Sequence, residues 1–340
     1  MPTETMLFVP LLILIGGLFH IIPGFTRPDL FFAVTVAPEF RRSSGAQRIL
    51  RNYRVIVWIA TLLASGLALA AGMAAAAVLI QAMGFLWGLI GAHRAAGAYA
   101  AAPSPILEVD LAMPQERLPG GPIVAVIPVL FLAALGLWVG FHWDGLPRHF
   151  PVHWGIRGAD RWVAATPATV FGFLAVQAFM CLLLAGLAWG LLNWSRRIST
   201  TGAGAAAERH FRRRVVQLLI VSAYFVVCLA WLALFHPAAA AMNLWGLALA
   251  AVMVAFTVSL MRGGQGGSRA TVAAGAAPVG DRTPDACWKW GLFYVNPADP
   301  SILVEKRFGI GYTLNLGNRW TWVVLALLLV APAAGLIMLR

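Results

Sequence analysis

Charge is what this sequence has least of. Only 11% of its 340 residues are Asp, Glu, Lys or Arg, against about a quarter in soluble globular domains. Hydrophobic residues make up 60% of the chain. So little polar surface cannot cover a water-soluble core of this size, so lipid is the solvent for most of the chain. Acidic residues are the scarcer sign, 13 against 25 Lys and Arg, for a net charge of +12. Such an excess suits nucleic acid in some proteins. Here the basic residues flank apolar runs, where they set membrane topology, and nucleic acid is not expected as a partner.

Cysteine is also sparse. Cys181 and Cys228 fall in apolar runs and Cys287 in a polar segment. Without a C-x-x-C spacing a thiolate zinc site is not expected, and no disulfide staples the polar loop near residue 150. Metalloprotease H-E-x-x-H, the G-x-S-x-G elbow and the P-loop are all missing. The glycine-rich "RGGQGGS" at 262–268 lacks the lysine that phosphate cradling needs. No enzymatic activity and no cofactor are therefore expected. Ionisable residues are missing from well inside the apolar runs, which argues against a proton-driven transporter.

Eight apolar runs are long enough to cross a bilayer, which takes about 20 residues: Met6–Phe25, Val55–Gly72, Ala75–Ala92, Gly121–Gly140, Ala168–Asn193, Val215–Phe235, Leu244–Met261 and Trp320–Leu339. The fold class is an all-α polytopic membrane protein of about eight transmembrane helices, with a small cytoplasmic β element built from loops. The second and third runs read as a tight hairpin, as do the sixth and seventh. The first has no basic residue before it and no A-x-A site at its end, so it is expected to stay as a span. G-x-x-x-G pairs at Gly84/Gly88, Gly136/Gly140 and Gly186/Gly190 predict close helix packing.

Alternate connections hold 21 of the 25 Lys and Arg residues, counted from Arg27 through Arg319, and the other face holds only Arg148, Arg157, Arg161 and Arg340. The basic face is cytoplasmic by the positive-inside rule. A bacterial inner-membrane protein with both termini extracytoplasmic follows. The chain divides into a three-helix portion at 1–119, a helix pair at 120–193 with an ordered external loop at 141–167, and a helix hairpin at 194–261. A flexible linker at 262–286, a β-like segment at 287–319 and a last helix at 320–340 complete it. Strand-like pattern appears in "DLFFAVTVAPEF", in "PILEVDLAM" at 105–113, whose apolar and acidic residues alternate, and in the segment after Lys289. A turn at Asn296–Pro300 divides that last segment.

The external stretch "LPRHFPVHWGIRGADRW", Leu146–Trp162, is a polar, sharply turning piece between two long apolar runs. Pro147 and Pro151 fix extended or turn geometry. Gly158 can supply a positive φ. Asp160 is placed to cap the turn or to pair with Arg157 or Arg161, and Trp154 and Trp162 suit a membrane interface. One reading makes the loop a rigid lid between the fourth and fifth spans, and the other a recognition surface. His142, His149, His153 and His236 with nearby carboxylates offer an alternative, a zinc or copper set. Their spacing is irregular and the prolines turn the rings apart, so no metal is expected.

The residues Leu146, Pro147, Pro151, His153, Trp154, Gly158, Asp160 and Trp162 resemble the signature of the bacterial membrane family called domain of unknown function 1648, shared with SdpI-type immunity proteins. Such proteins protect a bacterium from its own secreted killing peptide and help signal to a repressor. Separately, Trp290, Gly291, Tyr294, Asn296, Pro297, Asp299, Pro300, Lys306, Arg307, Gly309, Gly311, Asn315 and Gly317 resemble domain of unknown function 5808. The resemblance implies a non-enzymatic sensor or immunity-type protein. Pro151, His153, Trp154, Gly158, Asp160 and Trp162 would recognise a secreted peptide or envelope ligand. Trp290, Tyr294, Asn296, Asp299, Lys306 and Arg307 would dock a regulatory protein inside. The alternatives are a transporter of a hydrophobic or neutral solute and a metal-dependent membrane enzyme using the external histidines.

Overall fold

A computed structural model describes residues 3–102, 116–155, 158–198, 202–235, 238–276 and 280–338. The strand expected at 105–113, Arg157 and His236 lie outside them. The chain is an all-α polytopic membrane protein. Among the described residues, seven helices are long and apolar enough to cross a bilayer: α1 (Thr3–Ile21), α2 (Ser44–Ala71), α3 (Ala74–Gly97), α4 (Pro122–Phe141), α5 (Pro167–Asn193), α6 (Gly202–Phe235) and α7 (Ala239–Gly263). After a short helix α8 (Ser268–Ala273), the eighth apolar run forms α9 (Arg319–Met338). Within it Arg319–Val330 forms the shorter apolar stretch.

Local chemistry sets several of the ends. Ser43 caps α2 by accepting a hydrogen bond from the Ala46 N–H, satisfying one of the orphan donors of the first turn. The same helix stops at Gly72, whose φ of 65° is left-handed and costs glycine little. Pro167 opens α5 behind a Thr166–Thr169 capping box.

The chain packs as two compact units. The first comprises Met1–Met113, Arg196–Phe211 and Met261–Asn318. In it α2 and α3 form the expected hairpin, and the Gly84/Gly88 pair explains their closeness. A Cβ at Gly84 would clash with Ala60 Cβ, and one at Gly88 would meet Ile56 and Tyr53. Gln81, buried in α3, donates to the Leu12 carbonyl of α1 at 2.7 Å and to Thr61 of α2 at 3.1 Å. That neutral amide ties three helices together without placing a charge in lipid.

The connection after α1 makes a small hairpin, β1 (Leu30–Phe31) and β2 (Val34–Thr35). Its two-residue turn is Phe32-Ala33, with φ values of 47° and 67°. Turns of this type match strand twist but normally carry Asn or Gly. The strain is offset here by burial. Phe32 stacks on Phe308 and meets Tyr53 edge-on, within a core that also holds Val34, Ile49 and Leu89. Arg307 Nη1 donates to the Ala33 carbonyl at 3.0 Å, and the Phe32 carbonyl bonds His93 Nδ1 at 2.8 Å. A carbonyl only accepts, so His93 carries its proton on Nδ1.

The segment before α9 forms two further hairpins, β5 (Trp288–Lys289) with β6 (Phe293–Tyr294) and β7 (Leu303–Glu305) with β8 (Tyr312–Leu314). A bridge from Tyr294 to Asn315 joins them. The expected turn at Asn296–Pro300 wraps around the Asn315 side chain. Its Nδ2 donates to the Asn296, Asp299 and Ser301 carbonyls, and its Oδ1 accepts from the Asn296 and Gly317 N–H groups. The β element is therefore a set of two-stranded pairs held by side chains.

Over residues 264–273 the reading as part of a flexible linker is corrected. Gln265, Gly266, Gly267 and Ser268 are buried, and α8 follows at once. A Cβ on Gly266 would collide with the Glu305 carboxylate, and one on Gly267 would lie 2.5 Å from the Ala207 carbonyl. These glycines let backbone approach a buried neighbour and do not serve as a hinge.

The second unit comprises Pro114–Ser195, Arg212–Leu260 and Arg319–Arg340. Leu132, Leu135 and Val139 of α4 pack with Val170, Leu174 and Cys181 of α5 and Ala223, Ala230 and Leu234 of α6. Gly136 and Gly140 face Leu174 and Phe171 of α5, whereas Gly186 has open space around it. Between α4 and α5 runs a seven-residue pair of strands, β3 (His149–Gly155) and β4 (Gly158–Ala164). Phe150 of β3 is fully buried in the helix core, which anchors the hairpin to the bundle.

Candidate functional site: the β3–β4 hairpin

In the stretch singled out from the sequence, the described residues His149–Gly155 and Gly158–Ala164 form an antiparallel strand pair. Its register runs from His149 opposite Ala164 through Pro151 opposite Trp162 to Gly155 opposite Gly158, with irregularities on both sides of His153. Proline cannot donate to a ladder, so Pro151 beside a bulge is the expected place for it. Gly158 has a φ of 113°, a conformation that L side chains rarely adopt, and a Cβ there would also contact Ala239 of α7.

The bulge aims two side chains at one another. His153 Nδ1 lies 2.6 Å from Asp160 Oδ1. Asp160 thus pairs with His153, a partner the sequence reading did not name. The side chains are 66% and 53% exposed, so the pair adds little to stability. It fixes the ring instead. With Nδ1 engaged by the carboxylate, Nε2 is left for a ligand.

Beside it, Val152, His153 and Trp154 of β3 line a groove of about 700 Å³ with Leu229 of α6 and Met242, Asn243 and Trp245 of α7. The Trp154 indole Nε1 is buried and has no hydrogen-bond partner, a state that costs about 1–3 kcal/mol. Trp245 Nε1 is already donated to the Phe225 carbonyl at 3.1 Å. The site therefore presents an imidazole edge, an unused indole donor and an amide from Asn243 over an apolar floor. Such a set suits the carbonyl-rich backbone of a peptide and contains no nucleophile–base pair. Trp162 is half-exposed at the other strand and Pro151 is buried.

Among the described residues, His142, His149 and His153 form no metal-binding cluster. His142 stacks on Trp138 and bonds the Trp138 carbonyl, while His149 is at the far end of β3 from His153. Among the described residues no group of three His, Cys, Asp or Glu side chains could hold a metal ion.

The residues expected to dock a partner separate into two kinds. Trp290 and Lys306 are exposed. Tyr294 and Arg307 are buried and offer no surface for docking, which corrects their assignment. Arg307 donates to Asp281 and Asp285 and to the Thr283 carbonyl. Arg196 bridges Asp281 and Asp299, and Tyr294 donates to Asp299 at 2.9 Å. Asn296 Nδ2 in turn donates to the Tyr294 oxygen. Burial pushes the Tyr294 hydroxyl up to about 12. Burial also works to raise the Asp281 carboxyl, but Arg307 and Arg196 outweigh it and hold it below the ordinary range.

Sequence reasoning missed the centre of this unit. Arg27, Glu305, Gln265, Glu208, Asp281 and Arg196 come from separate parts of the chain and did not register as a group. Arg27 is buried against Glu305. Burial disfavours its charge, but Glu305, Glu208 and Asp29 together raise its pKa above the ordinary value. Gln265 donates to Gly311 O and Glu305 and accepts from Gly311 N. The one available signal was the glycine run around Gln265, which marks close backbone approach as readily as it marks flexibility.

A family of unknown function, DUF5808, has a model that matches residues 297–322. That stretch runs from the turn wrapped around Asn315 through β7 and β8 into α9, and it contains Glu305 and Arg307. No curated protein and no solved structure matches the chain.

Proposed function

We propose that this chain is a non-enzymatic sensor or immunity-type membrane protein whose β3–β4 hairpin recognises a secreted peptide or another envelope ligand. The observation that carries the reading is the unpaired Trp154 indole N–H in a groove beside the exposed His153–Asp160 pair. Neither feature stabilises the fold, and both suit an acceptor-rich chain laid along β3. The resemblance of Leu146–Trp162 to the signature found in SdpI-type immunity proteins points the same way.

The charge count puts the hairpin on the outer face of a bacterial inner membrane, with both termini on that side. The connections after α1 and α5 are each ion-paired to the connection after α7, Arg27 with Glu305 and Arg196 with Asp281, which supports their lying on the same side. The exposed Trp290 and Lys306 then face the cytoplasm, where a regulatory protein would dock.

The test is survival of cells expressing the chain when challenged with membrane-active peptides from culture supernatants. Trp154→Phe keeps the ring and removes the donor, and His153→Ala removes the oriented imidazole. Both variants should stay abundant and folded yet lose protection by about tenfold or more, as expected for a charge-assisted or buried hydrogen bond. Full protection by both variants would overturn the reading.

A further inference from the structure

We propose that the N-terminal half of α2 is a binding site for one anionic phospholipid, its phosphate held by Arg48, Arg51 and Arg54. These arginines recur at three-residue spacing, so they share one side of the helix. They line a single groove whose far end is Val55, Trp58, Ile59 and Leu62. Arg48 and Arg51 are exposed, and the Nε of Arg54 is buried without a hydrogen-bond partner. No Asp or Glu occurs anywhere in α2. The charge on this face is therefore unanswered by the helix that carries it, whereas Arg27, Arg196 and Arg307 of the same unit are paired with carboxylates.

The dimensions fit a lipid better than a soluble anion. At 1.5 Å per residue, Arg48 to Arg54 covers about 9 Å of axis, and Val55 to Leu62 a further ~10 Å. A headgroup layer is about 5–8 Å deep and one leaflet of hydrocarbon about 15 Å. The basic part thus matches the headgroup zone, and the apolar part the upper acyl chain. Val55, Ile59 and Leu62 are each at least half-exposed and open to an acyl chain. Trp58 closes the boundary between the two zones, its indole N–H donated to His20 of α1 at 3.1 Å. The groove begins at Ser44 in the first turn of a 28-residue helix, whose positive dipole end adds to the attraction.

Native mass spectrometry of the full chain in detergent tests this, with phosphatidylglycerol and phosphatidylcholine offered at equal concentration and inorganic phosphate as competitor. A headgroup-proximal arginine contributes about fivefold, so phosphatidylglycerol should be retained on the order of a hundredfold over phosphatidylcholine. Arg51→Gln alters an exposed side chain without a partner, so it should fold normally and weaken phosphatidylglycerol retention about fivefold without affecting phosphatidylcholine. Equal retention of the two lipids, or an Arg51→Gln variant that binds like the parent, would overturn the site. Displacement of the lipid by millimolar phosphate would reassign it to a soluble anion and overturn the lipid proposal.

Discussion

The Glu305 carboxylate accepts two hydrogen bonds from Arg27, at 2.8 Å from Nη2 and 3.2 Å from Nε, across 278 residues of sequence. Both side chains are almost wholly buried. Removing one partner leaves a buried charge uncompensated, which costs about 3–5 kcal/mol, whereas replacing both with apolar groups of similar volume is often neutral. Glu305→Gln should therefore lower the thermal midpoint of the detergent-solubilised protein steeply, and Arg27→Met with Glu305→Leu should recover most of the loss. A single variant that melts like the parent would show that this pair does not hold the unit together.

Two aspartates in the same unit should respond to pH in opposite senses. Asp281 is held below the ordinary carboxylate range, by Arg307 and Arg196 acting against burial. Its contribution is present above about pH 4 and is lost as pH falls through its lower folded value. Burial, only partly countered by Arg27, raises the Asp29 carboxyl. Its contribution is present below about pH 4 and is lost as pH rises through the higher folded value. At neutral pH Asp281→Asn should destabilise the protein, while Asp29→Asn should leave the midpoint unchanged or raise it. Melting curves across the acidic range measure both. Destabilisation of equal size by the two variants at neutral pH would contradict the opposite environments.

The small-residue pairs make a further contrast. Gly84→Ala places a methyl against Ala60 Cβ and should cost about 1–3 kcal/mol by forcing α2 and α3 apart. Gly186→Ala enters open space and should be neutral or stabilising by up to about 1 kcal/mol through helix propensity. Thermal midpoints of the two variants decide the matter, and matching losses would show that Gly84 is not a close-contact position.

Much of the fold was legible because membrane solvation acts locally. A long apolar run must satisfy its own backbone as helix, so the spans could be read without knowing their neighbours. Gly158 was readable for a similar reason, since a positive φ is a property of one residue. The β3–β4 hairpin was legible as an ordered loop, but the His153–Asp160 contact depended on a bulge that spacing alone does not reveal. Tyr294 and Arg307 were visible as members of a pattern, and only burial shows that they hold the segment together from within.

The sequence by itself determined the solvent, the helices and the points where the chain turns, because hydropathy and backbone preference are carried by each short stretch. Tertiary structure alone decided which charges meet and what the glycines around Gln265 are for. Arg27 has no local signal for Glu305, and a glycine run looks the same whether it swings freely or lets a backbone close over a buried carboxylate. Both depend on groups brought within a few ångströms from distant parts of the chain, where burial makes an ion pair obligatory and leaves no room for a Cβ.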